Sequence, residues 1–446
     1  MGQYFQRYLE FIFALIYITL LMVLMGAYRN QLMGFDSSIS NAQNLTSSGT
    51  ILQKLSISLS FILGSIPVIL KLSRSTKIIF YAYPIFILPI LSIISALWSV
   101  DYSITIFKGA VFLSIYVYCL GVINLFSARQ AINIYLTAGC LIAFLSIATA
   151  VTMPSIGVHQ AGDAFQAVHA GQWRGVFSHR TQLGQFSATF CVFLFAWRKQ
   201  LPILLLVPVF LSGLLCLVAA QSQGGYISLT IGIVLFSLVR AVIDKGLGAQ
   251  ITLVIICIVL ALSGQYLVDT MGPSVLEMLG KAPNLTGRTD IWDLLLTSAS
   301  RSVMLGRGYS AGIAQILASN EQLKVLANAQ GGYIDLYIAF GMVGVTVVIA
   351  SWIAIIFKAL RMMNMLLRLD VPNRRPIADG LSYCVTLIVM TAQMSIGESY
   401  IVEGNNYLPP TLGLIITAFF TIARDAITQT VEEIRLKPAN ILGVPS

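Results

Sequence analysis

Arginine and histidine side chains gather in two segments of an otherwise apolar sequence. The first segment holds all three histidines and ends in the run Trp173-Arg174-Gly175-Val176-Phe177-Ser178-His179-Arg180. The second segment carries Arg288 and, between two glycines, Arg307. Guanidinium groups pair with phosphate oxygens, and an imidazole exchanges a proton near neutral pH. These residue types predict a site for an anionic, phosphate-bearing ligand, with a histidine available for proton transfer.

The rest of the chain predicts that this site lies at a membrane surface. Of its 446 residues, 57% are hydrophobic and 10% are charged, and the mean hydropathy is +0.84. Because such a composition cannot supply a normal soluble surface, lipid must be the solvent. We expect an all-α, polytopic membrane protein, one integral membrane domain over residues 1–446 with about 12 transmembrane helices of about 20 residues. The expected spans are 8–28, 51–70, 78–97, 104–126, 131–152, 181–197, 202–219, 224–241, 249–269, 331–357, 379–395 and 408–424.

The distribution of basic residues predicts the orientation of these helices. Most of the 27 Lys and Arg residues fall in alternate short connections, which the positive-inside bias assigns to the cytoplasm together with both termini. The long connections 153–180 and 270–330 then lie on the outer side, the second as a large, partly helical loop between the ninth and tenth helices. The net charge of +9 follows from this topology, so no nucleic-acid partner is expected.

Each arginine in the two outer loops has a functional and a simpler interpretation. Arg174 and Arg180 lie where the first loop re-enters the membrane, where a desolvated arginine is costly unless it meets an anion or snorkels to lipid headgroups. Arg288 is expected in the first turn of a helix capped by Thr286, where free backbone N–H groups also favour an anion; otherwise it pairs with nearby aspartates. Arg307, between glycines, is expected to be exposed to a ligand or to solvent.

Other polar residues on the outer side are weaker candidates. No metal or other cofactor is expected, because His159 and His169 have only Asp163 as a nearby carboxylate and the six cysteines lie in apolar spans. Asp335, near the outer end of the tenth helix, either positions a substrate group or joins two helices. The last outer loop, residues 398–407, is expected to be solvated, with its glutamates binding hydroxyl groups as the alternative.

The same segments resemble a known family, the O-antigen ligase and Wzy-type polysaccharide polymerase superfamily, along most of the chain. The most specific part runs from Trp173 to Gly184 and is similar to the family pattern Arg-Gly-x-Phe-x-His-Lys-Asn-x-Leu-Gly, with Arg180 replacing Lys and Thr181 replacing Asn. The supporting parts are Leu97-Trp98-Ser99-Val100-Asp101, Gly287-Arg288 followed by Trp292, and Leu305-Gly306-Arg307-Gly308.

Two segments depart from the family pattern. The family's ligases carry His-Asn-Gly-Tyr after the large loop, where this chain has Gln330-Gly331-Gly332-Tyr333. Relatives also often have an arginine after the serine of the segment that reads Ala220-Gln221-Ser222-Gln223-Gly224 here. Because glutamine cannot accept a proton at neutral pH, the first departure favours a polymerase over a ligase.

The resemblance implies a membrane glycosyltransferase that works without a metal or cofactor. Such a polysaccharide polymerase, for exopolysaccharide or O-antigen, joins undecaprenyl-diphosphate-linked repeat units on the periplasmic face of the bacterial inner membrane. In these terms Arg174 and Arg288 are catalytic and bind the diphosphate, Arg180 and Arg307 also bind it, and His179 is the catalytic proton acceptor.

The resemblance also suggests substrate contacts and partners. Substrate-binding residues are expected at Trp173, Trp292, Gln330, Tyr333 and Asp335, although Trp and Tyr are enriched at membrane interfaces in any case. The expected partners are an undecaprenyl-diphosphate-linked oligosaccharide, the phospholipid bilayer and a chain-length regulator. One alternative is an O-antigen ligase, which transfers glycan to the lipid A core or another acceptor. A lipid-linked sugar transporter or flippase is the alternative from another class, disfavoured because the spans carry almost no charge.

Overall fold

The computed structural model describes residues 2–28, 51–163, 167–256, 259, 288–299, 302–320, 323, 326, 328–372, 374–404 and 406–441. Over these ranges the chain is helical, with no β-strand and one isolated β-bridge, between Val158 and Trp173. The predicted all-α class is therefore confirmed. The main helices are α1 (Gly2–Leu24), α2 (Ile51–Leu70), α3 (Leu72–Ile94), α4 (Tyr102–Leu125), α5 (Ala128–Thr152), α6 (Arg180–Trp197), α7 (Ile203–Ala220), α8 (Gln223–Ala241), α9 (Leu247–Ile256), α10 (Arg288–Ala299), α11 (Ala311–Ser319), α12 (Gly332–Arg368), α13 (Arg374–Gly397) and α14 (Leu408–Ile441).

Eight helices in the described part of the chain are long and apolar enough to cross a membrane. They are Leu72–Trp98, Tyr102–Leu125, Ala128–Thr152, Ile203–Ala220, Gln223–Ala241, Gly332–Arg368, Arg374–Gly397 and Leu408–Leu436. Shorter apolar helices, Glu10–Leu24, Lys54–Leu70 and Leu247–Ile256, occupy three more of the predicted spans. The protein is thus a polytopic membrane protein. The count of about twelve spans stays a prediction, and most of the predicted span 249–269 lies outside the described residues.

Several helices are longer than the apolar stretches that predicted them. Helix α12 continues past the predicted span 331–357 to Arg368, and α14 continues past 408–424 to Ile441. Lys358, within the extension of α12, donates from Nζ to the carbonyl oxygen of Tyr81 at 2.9 Å. Hydropathy marks where lipid surrounds a helix, whereas the backbone hydrogen bonds of a helix continue into polar sequence.

Helix α6 lies at the centre of the bundle. Phe186, Phe190 and Phe193 are fully buried along it, and the Phe186 and Phe190 rings stack with centroids 5.7 Å apart. Gly139 of α5 allows the close approach, because a Cβ there would lie 2.2 Å from the ring of Phe190. Gln185 is buried on the same helix. Because protein surrounds α6, the polar side chain of Gln185 is kept out of contact with lipid.

The helix ends next to the two outer loops meet at one end of the bundle, called here the site end. Helices α4, α6, α8, α12 and α14 begin there. Hydrogen bonds join them directly: the backbone N–H of Val100, just before α4, donates to the carbonyl oxygen of Arg307 at 3.0 Å, and that of Gly331 donates to Ser399 Oγ at 3.3 Å. The segments singled out in the sequence therefore share one end of the fold.

Candidate functional site

The first outer loop, residues 153–180, folds around the side chain of Arg174. Nε of Arg174 donates to the carbonyl oxygen of Ile156 at 2.8 Å, and Nη2 donates to that of Ser155 at 3.0 Å. Nη1 donates to Asp163 Oδ2 at 3.2 Å. The guanidinium group thus holds the helical turn Pro154–Gly157 and a carboxylate within the loop itself.

The three histidines, spaced ten residues apart in sequence, come together in this loop. The ring centroids of His159 and His169 each lie close to that of His179, at 5.2 Å in both cases, and they are 5.8 Å from one another. His159 Nε2 accepts the backbone N–H of Arg180 at 3.1 Å, which places the ring proton on Nδ1, 3.4 Å from Asp163 Oδ2. Among the described residues, no group of three His, Cys, Asp or Glu side chains is arranged to hold a metal ion.

The surroundings of the three histidines favour the neutral form of each ring. Burial, followed by the charge of Arg174, lowers the pKa of His159 to about 4, against the opposing effect of the neighbouring carboxylate. Burial and then Arg180 lower the pKa of His169. Burial, then the other two histidines, then both arginines lower the pKa of His179 well below its usual value. A proton arriving at His179 would enter a positive field, which disfavours a role as general base.

His179 is the N-cap of α6. Its Nδ1 accepts the backbone N–H of Thr181 at 3.2 Å and lies 2.8 Å from the hydroxyl of that residue. The proton of the neutral ring is therefore on Nε2. In this tautomer His179 presents an N–H donor, which suits an anion.

The motif around Arg180 is also joined to the turn between α7 and α8, residues 220–224. Nη1 of Arg180 donates to the carbonyl oxygen of Gln221 at 2.7 Å, and Gln221 itself adopts a left-handed conformation with φ +50°. Gly184 lies where α6 crosses this turn, because a Cβ there would be 2.2 Å from Ser222 Cβ. The departure from the family pattern at 220–224 thus lies against the most specific part of the resemblance.

The turn that carries Arg307 fits into a break in α12. The helix is interrupted at Gly341, which has φ +64° and ψ −166°. The backbone N–H of Arg307 donates to the carbonyl oxygen of Ile338 at 2.8 Å. A Cβ on Gly306 would lie 2.5 Å from the main chain of α12, so only glycine allows this approach.

The opposite face of the same turn contacts the segment 97–101. Gly308 has φ +93°, and a Cβ on it would lie 2.2 Å from Ser99 Oγ. Two parts of the resemblance, far apart in sequence, are therefore in direct contact. The side chain of Arg307 is not used in this packing; its Nη1 lies 3.5 Å from Gln315 Oε1 at an exposed position.

The segment that departs from the ligase pattern precedes α12. Gln330 has φ +54°, and its backbone N–H donates to Asn328 Oδ1 at 2.9 Å. Trp292 Nε1 donates to the carbonyl oxygen of Ala329 at 2.9 Å. Asp335 is 3% exposed; its Oδ1 accepts the Ala329 N–H at 3.2 Å, and its Oδ2 has no hydrogen-bond partner in the described part of the chain. Trp292 and Asp335 thus shape the segment around Gln330.

The loop 398–407 between α13 and α14, called here the hub loop, lies in the middle of the site end, and its described residues are buried or half-buried. Ser399, Tyr400 and Tyr407 are 0%, 4% and 0% exposed, so the expectation of a solvated loop was wrong. The loop is polar, as solvated loops are, but its tyrosines fill the space between the helix ends. Its aromatic content was the signal in the sequence for burial.

The hub loop contacts three of the segments singled out in the sequence. The hydrogen bonds are Tyr400 Oη with Thr181 Oγ1 at 2.9 Å, Tyr309 Oη to the carbonyl oxygen of Val402, the Gly331 N–H to Ser399 Oγ at 3.3 Å, and Asn328 Nδ2 to Glu403 Oε1. The hub loop therefore joins three segments: the run from Trp173 to Gly184, called here the histidine motif, the Arg307 turn and the start of α12.

Other residues expected in the site have structural partners. Trp173 is half-buried and forms the β-bridge with Val158. The hydroxyl of Tyr333 donates to the carbonyl oxygen of Ala392 at 2.9 Å. Helix α10 begins at Arg288, as expected for a first-turn residue, while its side chain and Thr286 lie outside the described part of the structure.

The fold and the site define a multi-pass membrane protein with a polar, cation-bearing site at one end of a helical bundle. Residues 208–349, about a third of the chain, match the family described as O-antigen ligase (Wzy_C). The match supports the resemblance of the chain to the O-antigen ligase and Wzy-type superfamily. The matched residues include the α7–α8 turn, Arg307 and Gln330, but neither the histidine motif nor the hub loop. No curated protein matches the sequence.

Proposed function

We propose that the protein is a polysaccharide polymerase that joins undecaprenyl-diphosphate-linked repeat units, of exopolysaccharide or O-antigen, by metal-independent glycosyl transfer. The observation that carries the proposal is the meeting of the histidine motif, the Arg307 turn and the start of α12 on the hub loop. The distribution of Lys and Arg favours the periplasmic side of a bacterial inner membrane for this end of the bundle, with both termini cytoplasmic.

The donor groups at the site end suit a diphosphate. Arg180, Arg307 and the Nε2–H of His179 supply charge and hydrogen bonds, and α10 begins at Arg288, where helix N–H groups lack intrahelical partners. As the sugar leaves, negative charge builds on the diphosphate, and fixed donors stabilise that charge more than they stabilise the substrate. Losing one such donor typically lowers turnover by about 10²–10³-fold.

Arg174 has a different part in this proposal. Its three donating nitrogens are used on Ile156, Ser155 and Asp163, so we assign it the positioning of the first outer loop. The binding of diphosphate then falls to Arg180, Arg288 and Arg307. Replacing Arg174 by alanine is expected to loosen the loop, and replacing it by lysine to restore only part of its contacts, because lysine lacks the planar fork.

The reaction also needs a proton acceptor. A bond forms between the acceptor hydroxyl oxygen and the anomeric carbon, and the bond from that carbon to the diphosphate breaks, with its electron pair leaving on the diphosphate. The hydroxyl proton has to go to a base, and the positive surroundings of His179 make it a poor one. We assign this role to Glu403, which is half-buried and hydrogen-bonded by Asn328, two residues before Gln330.

The alternatives differ in what they require of the site. A ligase of this superfamily would transfer glycan to the lipid A core or another acceptor, and Gln330 stands where such ligases carry a histidine. A transporter requires ionisable groups along the membrane midplane. The buried carboxylates of the described residues, Asp335 and Asp379, instead lie near the first turns of α12 and α13. Their placement favours glycosyl transfer over transport. A chain-length regulator is a further candidate partner.

The test is incubation of the purified protein with an undecaprenyl-diphosphate-linked repeat oligosaccharide alone, followed by separation of the products by length. A ladder of longer lipid-linked glycans is the expected result. Donor that stays unchanged alone but is consumed when a lipid A core acceptor is added would establish a ligase. Donor that is moved across a vesicle membrane without any bond formation would establish a transporter.

Variants of Arg307 test whether polymerisation depends on this residue of the site end. Arg307→Ala should lower polymerisation by about 10²-fold or more, because it removes a donor without disturbing the backbone contacts of the turn. Arg301→Ala serves as the matched control, an arginine of the same loop to which no role is assigned. Equal activity of the two variants would contradict the diphosphate assignment of Arg307.

A further inference from the structure

A second charged site lies at the opposite end of the bundle from the hub loop. A cavity of about 500 Å³ opens between the α2–α3 turn and α14. Its lining includes Leu70, Lys71, Arg74, Lys77, Arg424 and Asp425. Four cations and one carboxylate give this lining a net charge of +3. Charges of one sign gathered in one cavity attract an anion.

The position of the cavity separates it from the proposed reaction site. Helix α14 starts at the hub loop, and Arg424 lies about 24 Å further along it at 1.5 Å per residue. The side chain of Lys71 reaches the far end of α4, where its Nζ donates to the carbonyl oxygen of Asn124 at 2.6 Å. The cavity is thus at the end of the bundle that the basic-residue distribution assigns to the cytoplasm.

The cations of the cavity are incompletely neutralised. Arg74 and Lys77 have no ion-pair partner within the described ranges. Arg424 stacks its guanidinium on the ring of Tyr81, 4.3 Å from the centroid, and its nearest carboxylate contact is 3.8 Å to Asp425. Its Nε has no hydrogen-bond partner in the described structure. The stacking orients Arg424 while leaving hydrogen-bonding capacity for a ligand.

The surroundings of the cavity indicate where the anion comes from. Leu70 at the end of α2 and Leu72 at the start of α3 are 79% and 60% exposed, and Phe80 on α3 is 72% exposed. In a membrane protein such side chains face acyl chains. A phosphate attached to acyl chains would satisfy both the cations and this apolar rim, whereas a free phosphate would use the cations alone.

We propose that this cavity binds the headgroup of an anionic phospholipid, whose acyl chains lie along the exposed faces of α2 and α3. Basic cavities between transmembrane helices on the cytoplasmic side are known to hold such headgroups. The bound lipid joins the α2–α3 turn to α14, the helix that begins at the hub loop. The site is independent of the proposed glycosyl transfer.

The test is native mass spectrometry of the full-length protein with phosphatidylglycerol or phosphatidylcholine, which differ in headgroup charge. Selective retention of phosphatidylglycerol is expected. The double variant R74Q/K77Q should weaken that retention about 30-fold, since each basic residue near an anionic headgroup contributes about a fivefold effect. Arg129→Gln, an exposed arginine at the start of α5, is the matched control and should bind as the unmodified protein does.

Two further experiments test whether the charge of the cavity and the acyl chains of the lipid are both required for binding. The charge-preserving variant R74K/K77R should retain the lipid, which separates loss of charge from loss of fold. Equal retention of the two lipids, or full retention by R74Q/K77Q, would overturn the proposal. The soluble headgroup glycerophosphoglycerol should compete only weakly. Competition at the same concentration as the intact lipid would show that the cavity takes a free phosphodiester instead.

Discussion

The hydroxyls of Thr181 and Tyr400, 219 residues apart in sequence, lie 2.9 Å from one another. The Thr181 hydroxyl also lies 2.8 Å from Nδ1 of His179. Burial raises the pKa of Tyr400 well above its usual value, so its phenol stays protonated. A chain of hydrogen bonds thus runs from the hub loop to His179 and keeps the imidazole proton on Nε2. A polar network of this kind fixes both the orientation and the tautomer of His179.

Removing the Tyr400 hydroxyl tests whether this chain of hydrogen bonds contributes to activity. Tyr400→Phe removes one hydroxyl at nearly constant volume, and we expect polymerisation to fall about five- to tenfold, as for the loss of one to two neutral hydrogen bonds. Tyr226→Phe is the control, because that hydroxyl makes only a 3.4 Å contact at an exposed position. Activity and thermal unfolding of both variants would be measured. The same activity in both would show that the Tyr400 contact is not used.

The close approach of Gly308 and Ser99 gives a sharper structural prediction. Gly308→Ala introduces a Cβ 2.2 Å from Ser99 Oγ at a residue with φ +93°, so the Arg307 turn has to move. We expect activity to fall at least tenfold while the protein remains inserted in the membrane. Gly162→Ala is the matched control, because nothing lies within 4 Å of its added Cβ. Activity of Gly308→Ala equal to that of Gly162→Ala would exclude a role for the docked turn.

The helices could be predicted from the sequence because lipid imposes a simple rule on each of them. Apolar stretches of about 20 residues marked spans that the structure forms as helices. The glycines beside Arg307 were expected to expose that residue to a ligand or to solvent, and their close packing against α12 and Ser99 was not predicted. The helices α12 and α14 continue beyond the predicted spans, since apolar composition reports the surrounding solvent rather than the end of backbone hydrogen bonding.

The site was predicted less completely, because its contacts are long-range. Nothing local indicates that Ser99 meets Gly308, or that the hub loop joins three segments. Arg174 shows the same limit: its type and position favoured an anion, whereas its donors are used within the loop, chiefly on carbonyl oxygens. Every residue has a backbone carbonyl oxygen, so residue types do not show which of these oxygens accepts a hydrogen bond. For that reason a sequence motif identifies the segment of a site better than the role of each residue.

The histidine cluster predicts a stability change with pH. The folded-state pKa of His159 is about 4, below the usual value of about 6.5, so the unfolded loop binds protons that the folded loop does not. The stabilisation is complete above pH 6.5 and is lost as the pH falls from 6.5 towards 4. Hydrogen exchange of residues 154–163 should therefore quicken between pH 7.5 and 5, relative to α5.

A variant of His169 separates this pH-dependent loss of loop stability from a general sensitivity of the protein to acid. The pKa of His169 is lowered by burial and then by Arg180, so His169→Gln removes one group that resists protonation. The acid-induced increase in exchange should be smaller in this variant. Exchange of residues 154–163 that keeps the same ratio to exchange in α5 at both pH values, or an unchanged increase in His169→Gln, would contradict a stabilising role for the neutral cluster.

The assignment of the proton acceptor leads to the prediction closest to the chemistry. Glu403→Gln preserves the side-chain shape and an oxygen that accepts from Asn328, but it removes the carboxylate that takes the proton. Loss of a general base lowers turnover by about 10²–10⁴-fold, whereas donor binding should be unchanged if Glu403 acts only as the base. Glu398→Gln, on the same loop, is the matched control. Turnover and donor affinity would be measured separately for both variants. Normal turnover in Glu403→Gln would show that another group accepts the proton. A loss confined to donor affinity would show that Glu403 binds sugar hydroxyls rather than taking a proton.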